Sequence, residues 1–200
     1  MAPPLIQLDG QSLDLAQLET IARGPVRVQL HARARERMAA SRRLVEQAAS
    51  GEQPVYGVNT GFGHLATVRV SHDRLDDLQQ NLVRSHCAGV GDLLPRQDVR
   101  ACMALRANTL ARGHSGIRPE TVDLLLELLS NDACPLVPCQ GSVGASGDLA
   151  PLAHIALALI GEGQLERGGR TVPAALVLKE LGLEPAQLQQ RTEPGDQKHQ

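Results

Sequence analysis

Residues 141–151 read Gly141-Ser142-Val143-Gly144-Ala145-Ser146-Gly147-Asp148-Leu149-Ala150-Pro151. Three consecutive residues here, Ala145, Ser146 and Gly147, can build an electrophile from the chain itself. The nitrogen of Gly147 attacks the Ala145 carbonyl and closes a five-membered ring. Water leaves from that ring, the Ser146 hydroxyl leaves as a second water, and an exocyclic methylidene remains. Glycine suits the attacking position because it has no Cβ to block the approach and visits a sharply bent backbone cheaply. Alanine leaves the attacked carbonyl uncrowded. The product is a Michael acceptor, a reactivity no ordinary side chain offers. The same letters also spell a Gly/Ser loop capping a helix that begins near Asp148. A phosphate-cradling loop fits worse, because no Gly-Lys-Ser/Thr follows and no strand with GxGxxG precedes.

The chain has 200 residues, 42% of them hydrophobic and 1% aromatic, with one Tyr, one Phe and no Trp. It can bury a core, and that core must be Leu, Val, Ile and Ala, which suits packed helices. A net charge of −2 gives no general pull toward nucleic acid or an acidic membrane surface. The longest apolar stretch, 149–160, is too short to span a bilayer, and the first ten residues resemble no signal peptide. A cytoplasmic protein is expected. Cys87, Cys102, Cys134 and Cys139 fit no zinc spacing and read as reduced, buried structural thiols.

Along the chain, 5–8 and 26–29 read as short strands around a helix near Leu13–Arg23. His31–Ser50 is a helix stopped by Gly51. Residues 54–70 form a glycine-rich loop, long enough to hold functional interest. Ser71 caps a helix through about Ser85, with acids in its first turns. Arg96–Arg112 is a helix with Leu105 and Leu110 inward. Residues 113–117 are a break, and Pro119 starts a helix carrying Leu124, Leu125, Leu128 and Leu129. Residues 131–144 read as irregular. Residues 148–161 form an apolar helix nearly free of charge, expected to be buried on all sides. Residues 167–171 make a tight Gly-Gly turn, and 173–181 a short helix ended by Gly182. The tail 189–200 has no apolar residue and is expected to be disordered.

Several side chains admit both a chemical and a plain reading. Tyr56, the one tyrosine, can act as a general base if its pKa is lowered, or simply pack with its hydroxyl on backbone. Asn59 and Thr60 can orient a ligand or make Asx-type turns. His86, after Ser85 at a helix end, can bind a polar ring, act as acid or base, bind metal, or merely meet backbone carbonyls. A serine–histidine hydrolase is disfavoured, since no G-x-S-x-G elbow is present. His64, His72, His114 and His154 show no HExxH spacing. Arg112 and Arg118 can meet an anion or stay solvated.

Two motifs together change this balance. Tyr56-Gly-Val-Asn-Thr-Gly-Phe-Gly63 followed by Gly141-Ser-Val-Gly-Ala-Ser-Gly-Asp-Leu-Ala-Pro-Leu-Ala-His154 resembles the aromatic amino acid ammonia-lyases and aminomutases. That likeness covers roughly residues 5–190. It implies that Ala145, Ser146 and Gly147 form 4-methylidene-imidazole-5-one (MIO) autocatalytically, with no metal or external cofactor. Asn81-Leu-Val-Arg-Ser-His86 resembles the histidine branch, and Arg112-Gly-His-Ser-Gly-Ile-Arg118 is also family-like.

The resemblance implies further roles. Asp148 helps hold the loop and favours cyclisation. Tyr56 acts as base or aids amine departure. Ser85 and His86 receive the substrate imidazole, with His86 orienting it. Asn59, Gly61 and Gly63 shape the pocket. The implied reaction eliminates ammonia from L-histidine to give trans-urocanate, a step of histidine catabolism. The implied fold is mainly α with a small mixed α/β N-terminal region, the N-terminal part of the fumarase/aspartase-like helical architecture, truncated before most of the central bundle. On this reading 1–188 is the MIO-bearing domain running into the start of the bundle, and 189–200 is a tail unrelated to the family. Full-length members are homotetramers. A separately encoded C-terminal half is therefore a possible partner, and nucleic acid and membrane are not expected. The 200-residue chain is expected to be inactive alone, with the apolar face of 149–160 left exposed. The alternatives are a non-catalytic fragment or partner subunit, and a tyrosine or phenylalanine ammonia-lyase or aminomutase, which Ser85-His86 opposes.

Overall fold

Asp14 decides where the first helix begins. Its carboxylate accepts from the Gln17 backbone N–H at 2.8 Å, and the Gln17 side chain accepts from the Asp14 N–H at 3.2 Å. This capping box satisfies donors that a helix start leaves free. Helix α1 (Leu15–Arg23) therefore starts just past the expected Leu13. It joins strands β1 (Leu5–Leu8) and β2 (Arg27–Leu30), which pair in parallel with Leu5 opposite Arg27. Each strand alternates, so Ile6, Leu8, Val28 and Leu30 face the core. The computed structural model describes residues 2–51, 53, 55, 58, 60, 72–141 and 149–187. The expected loop at 54–70 and the tail at 189–200 lie largely or wholly outside the described residues.

The remaining elements are α2 (Ala32–Ser50), α3 (His72–His86), β3 (Val90–Leu93), α4 (Arg96–Leu110), α5 (Pro119–Ser130), β4 (Cys134–Pro135), β5 (Pro138–Gln140), α6 (Leu149–Leu159), β6 (Gln164–Arg167), β7 (Arg170–Pro173) and α7 (Ala174–Leu181). The architecture is mainly helical with small sheets, as expected. β3 pairs antiparallel with β5, and β4-β6-β7 form a second antiparallel sheet whose β6–β7 hairpin turns at Gly168-Gly169. Helices α1, α4 and α5 pack with β1 and β2 around Ile21, Val28, Met103, Leu125, Leu128 and Leu129.

Four expectations need correction. Residues 131–144, read as irregular, contain β4 and β5. These strands are two and three residues long and contain prolines, so they carry no alternation, and long-range pairing makes them. Leu105 does not point inward; it is 48% exposed, because α4 turns that side away from the core. α6 is not buried on all sides: Ala150, Ile155 and Ala158 are buried, while Leu149 is half exposed. The thiols are free, but only Cys134 is fully buried, and Cys139 lies exposed on the short strand β5.

The break at 113–117 has a steric cause. Gly113 and Gly116 both adopt positive φ and lie directly against α2, and a Cβ on Gly116 would stand 2.2 Å from Val45 Cγ2. Valine is stiff at χ1 and cannot swing away freely. Gly116→Ala is expected to cost about 2–4 kcal/mol, from left-handed strain and overpacking together. Urea unfolding checks this. Val45→Ala in the same chain should relieve the clash and leave the backbone strain.

Candidate active site

The C-terminal turn of α3 carries Ser85 and His86. Ser85 Oγ donates to the Leu82 carbonyl at 2.9 Å, and His86 Nδ1 lies 2.8 Å from the same oxygen. A carbonyl only accepts, so Nδ1 carries a proton, and the ring in its neutral form has Nε2 as a bare acceptor. The Ser85 proton is spent on backbone, so Ser85 is not a nucleophile activated by its 3.3 Å neighbour. The plain reading of His86 as a histidine that meets backbone carbonyls is thus correct, and it leaves one ring nitrogen available.

Helix α6 forms the facing wall. His86 and Leu82 share a cavity of about 420 Å³ with Leu149, Leu152 and Ala153 of α6, and Arg106 of α4 stands on its lining. Past α3 the chain is held tightly. Gly89 N–H donates to His154 Nε2 at 3.3 Å, and a Cβ on Gly141 would lie 2.9 Å from Gly89 Cα. The residue that opens the 141–151 stretch therefore touches the segment just after His86. Arg84 forks onto Glu162, with Nε to Oε2 at 3.0 Å and Nη2 to Oε1 at 2.5 Å. That guanidinium holds the Glu162 carboxyl below the usual carboxylate range. Glu162 itself caps α6, its N–H donating to Leu157 O at 3.0 Å.

The two thiols with displaced pKa values are not built as nucleophiles. Burial pushes the Cys87 thiol up and raises Cys134 to about 11. Among the described residues no group of three or more His, Cys, Asp and Glu could hold a metal ion.

Of the residues singled out in the sequence, the structure places His86 on the cavity facing α6, with Ser85 exposed beside it. Tyr56, Asn59, Gly61, Gly63, Ala145, Ser146, Gly147 and Asp148 lie outside the described residues. Sequence reasoning assigned no role to Arg84, Glu162 or His154. Glu162 had one available signal: it is the first Asp, Glu, Lys or Arg after thirteen positions without one, 149–161.

His154 gives this region a pH dependence. Burial depresses its pKa below the ordinary 6.5. Its stabilising contribution is complete above the unfolded-state pKa and is lost as pH falls from there through the folded one. Protonation also removes the acceptor for Gly89. Melting temperature should fall more steeply from pH 7 to pH 5 in the parent chain than in His154→Gln, before Glu162 titrates at lower pH.

A profile of the aromatic amino acid lyases matches residues 13–193. The chain belongs to the aromatic amino acid lyase family. The histidine ammonia-lyase of Deinococcus radiodurans is 54% identical over 179 residues, which are 90% of this chain and 34% of that protein. The crystal structure of histidine ammonia-lyase from Trypanosoma cruzi superposes with a TM-score of 0.83 at 37% identity, covering 93% of this chain and 35% of that one. Tyrosine aminomutase from Streptomyces globisporus gives a TM-score of 0.83 at 40% identity, covering 94% and 35%. The chain thus spans about a third of the length of the family proteins it matches. Fold similarity does not separate the histidine branch from the aminomutases, because both superpose equally well. Among the described residues no helix is long and apolar enough to cross a membrane.

Proposed function

We propose that this chain is the electrophile-bearing part of a histidine ammonia-lyase, which converts L-histidine to trans-urocanate and ammonia. The observation that carries the reading is His86, whose Nδ1–H is tied to Leu82 and whose Nε2 is left to accept a hydrogen bond. Such an acceptor suits the ring N–H of an imidazole. A phenyl ring offers it nothing. The half-identical relative from Deinococcus radiodurans, a histidine ammonia-lyase, supports the same branch.

Ala145, Ser146 and Gly147 are the residues that would become MIO. The surroundings fit this: the stretch is anchored at one end by Gly141 against Gly89 and continues at the other into α6. The ring supplies an electrophile that makes the substrate amine a better leaving group. Tyr56 takes up the proton or aids departure of the amine. His86 orients the imidazole, Ser85 accompanies it, Asn59 and Gly63 shape the pocket, and Asp148 holds the loop. The apolar wall of α6 excludes water. Residues 1–188 act as one domain of a cytoplasmic homotetramer in histidine catabolism. Activity requires the remaining two thirds of the family length, supplied as continuation or as a separate chain.

The test is to co-express this chain with the rest of a histidine ammonia-lyase and compare turnover of histidine, tyrosine and phenylalanine. Preferred turnover of histidine is expected. Preferred turnover of tyrosine would sink the histidine assignment.

A further inference from the structure

Two ties, both to α6, bracket His86 along the chain. Before it, Arg84 grips Glu162 just beyond the C-terminal end of α6. After it, Gly89 donates to His154 in the middle of α6. The end of α3 is therefore registered on the helix that directly follows the Ala145-Ser146-Gly147 triad. Arg84 and Glu162 are 48% and 38% exposed, so as an ion pair they contribute little to stability. A planar fork on a carboxylate, however, sets direction as well as distance.

We propose that Arg84 and Glu162 are positioning residues: their bidentate pair fixes the last turn of α3 so that the His86 ring keeps one tautomer and faces α6. The purpose assigned to that ring rests on the lyase reading above; the clamp itself does not. Without the fork, the side-chain hydrogen bond that ties this end of α3 to α6 among the described residues is the one from Gly89 to His154.

The experiment uses the full 200-residue chain and the imidazole nitrogen resonances of His86. The parent should show a proton on Nδ1 and a bare Nε2. Arg84→Met should give averaged tautomers and about tenfold faster amide exchange over residues 85–89, while the melting temperature barely moves. Arg84→Lys keeps the charge without the fork and should restore the signature at most partly. The reversed pair, Arg84→Glu with Glu162→Arg, should restore it. An unchanged His86 signature in Arg84→Met overturns the proposal. So does a change that the reversed pair leaves fully in place, because lost packing and not the clamp then accounts for it. If Arg84→Met fails to fold, Glu162→Gln replaces it, and an unchanged His86 signature there overturns the proposal in the same way. Histidine turnover plays no part in the readout, so failure of the clamp and failure of the lyase reading are separate results.

Discussion

The parent peptide spanning 141–151 is expected to be lighter than its sequence by two water molecules, and Ser146→Ala is expected to abolish that two-water deficit. The reasoning is chemical. Ring closure needs the Gly147 nitrogen and the Ala145 carbonyl, but the methylidene needs a hydroxyl to lose, and alanine has none. In the completed enzyme the same change should lower histidine turnover by roughly 10³-fold or more, as loss of other covalent groups does. Mass spectrometry of a proteolytic digest checks the first result and urocanate absorbance the second. An unmodified peptide in folded parent protein would show that this chain alone does not assemble the ring. The apolar cavity beside α6 makes that outcome informative, since it would assign assembly to the part of the family length absent here.

The second large effect concerns a buried arginine of α4. Arg100→Met is expected to destabilise the fold by roughly 2–4 kcal/mol, because it strands the Ile21 carbonyl and leaves the Leu129 carbonyl with only a long backbone bond. Arg100 is 1% exposed. Its Nε donates to Ile21 O at 2.9 Å, and its Nη1 donates to Leu129 O and Asp132 Oδ1, each at 3.1 Å. Ile21 ends a turn of α1 whose normal donor would be residue 25, and Pro25 has no N–H. Leu129 would look to Ala133, whose N–H goes to Leu128 O, so besides the guanidinium it accepts only a 3.3 Å bond from the Asp132 N–H. One guanidinium therefore finishes two helices at once. Burial pulls its pKa down, yet an arginine stays charged under all ordinary conditions. Replacing a buried ion pair with apolar groups can be harmless, but here the carbonyls belong to the backbone and remain after the substitution. Urea unfolding of Arg100→Met beside Arg100→Lys measures the loss. Lysine should recover part of it, since one ammonium reaches fewer of the three acceptors. A change below about 1 kcal/mol in Arg100→Met would show that water or relaxation satisfies both helix ends.

The same contrast runs through the whole molecule. Local signals placed most helices closely. Asp14 with Gln17 starts α1, His31 and Gly51 bracket α2, and Pro119 opens α5. Each rests on neighbours within four residues, which is why it can be read from letters alone. β3, β4 and β5 could not, since their partners lie up to fifty positions away and their own residues carry no periodicity. The site divides the same way. Ser85-His86 was visible as a candidate pair, but the tautomer of His86 was not, because it depends on where the Leu82 carbonyl points.

What the sequence by itself determined was the set of candidate letters: the Ala145-Ser146-Gly147 triad, the glycine-rich stretch with Tyr56, and the Ser85-His86 pair. These depend on covalent order, which the sequence states directly. The tertiary structure alone decided which of the ordinary-looking residues stand around them. Arg84 meets Glu162 across 78 positions, Gly89 meets His154 across 65, and Arg100 closes helices 79 and 29 positions away. Contacts at such separations arise from packing, when burial of α1, α4, α5 and α6 brings distant carbonyls and charges together and leaves each to find a partner within reach.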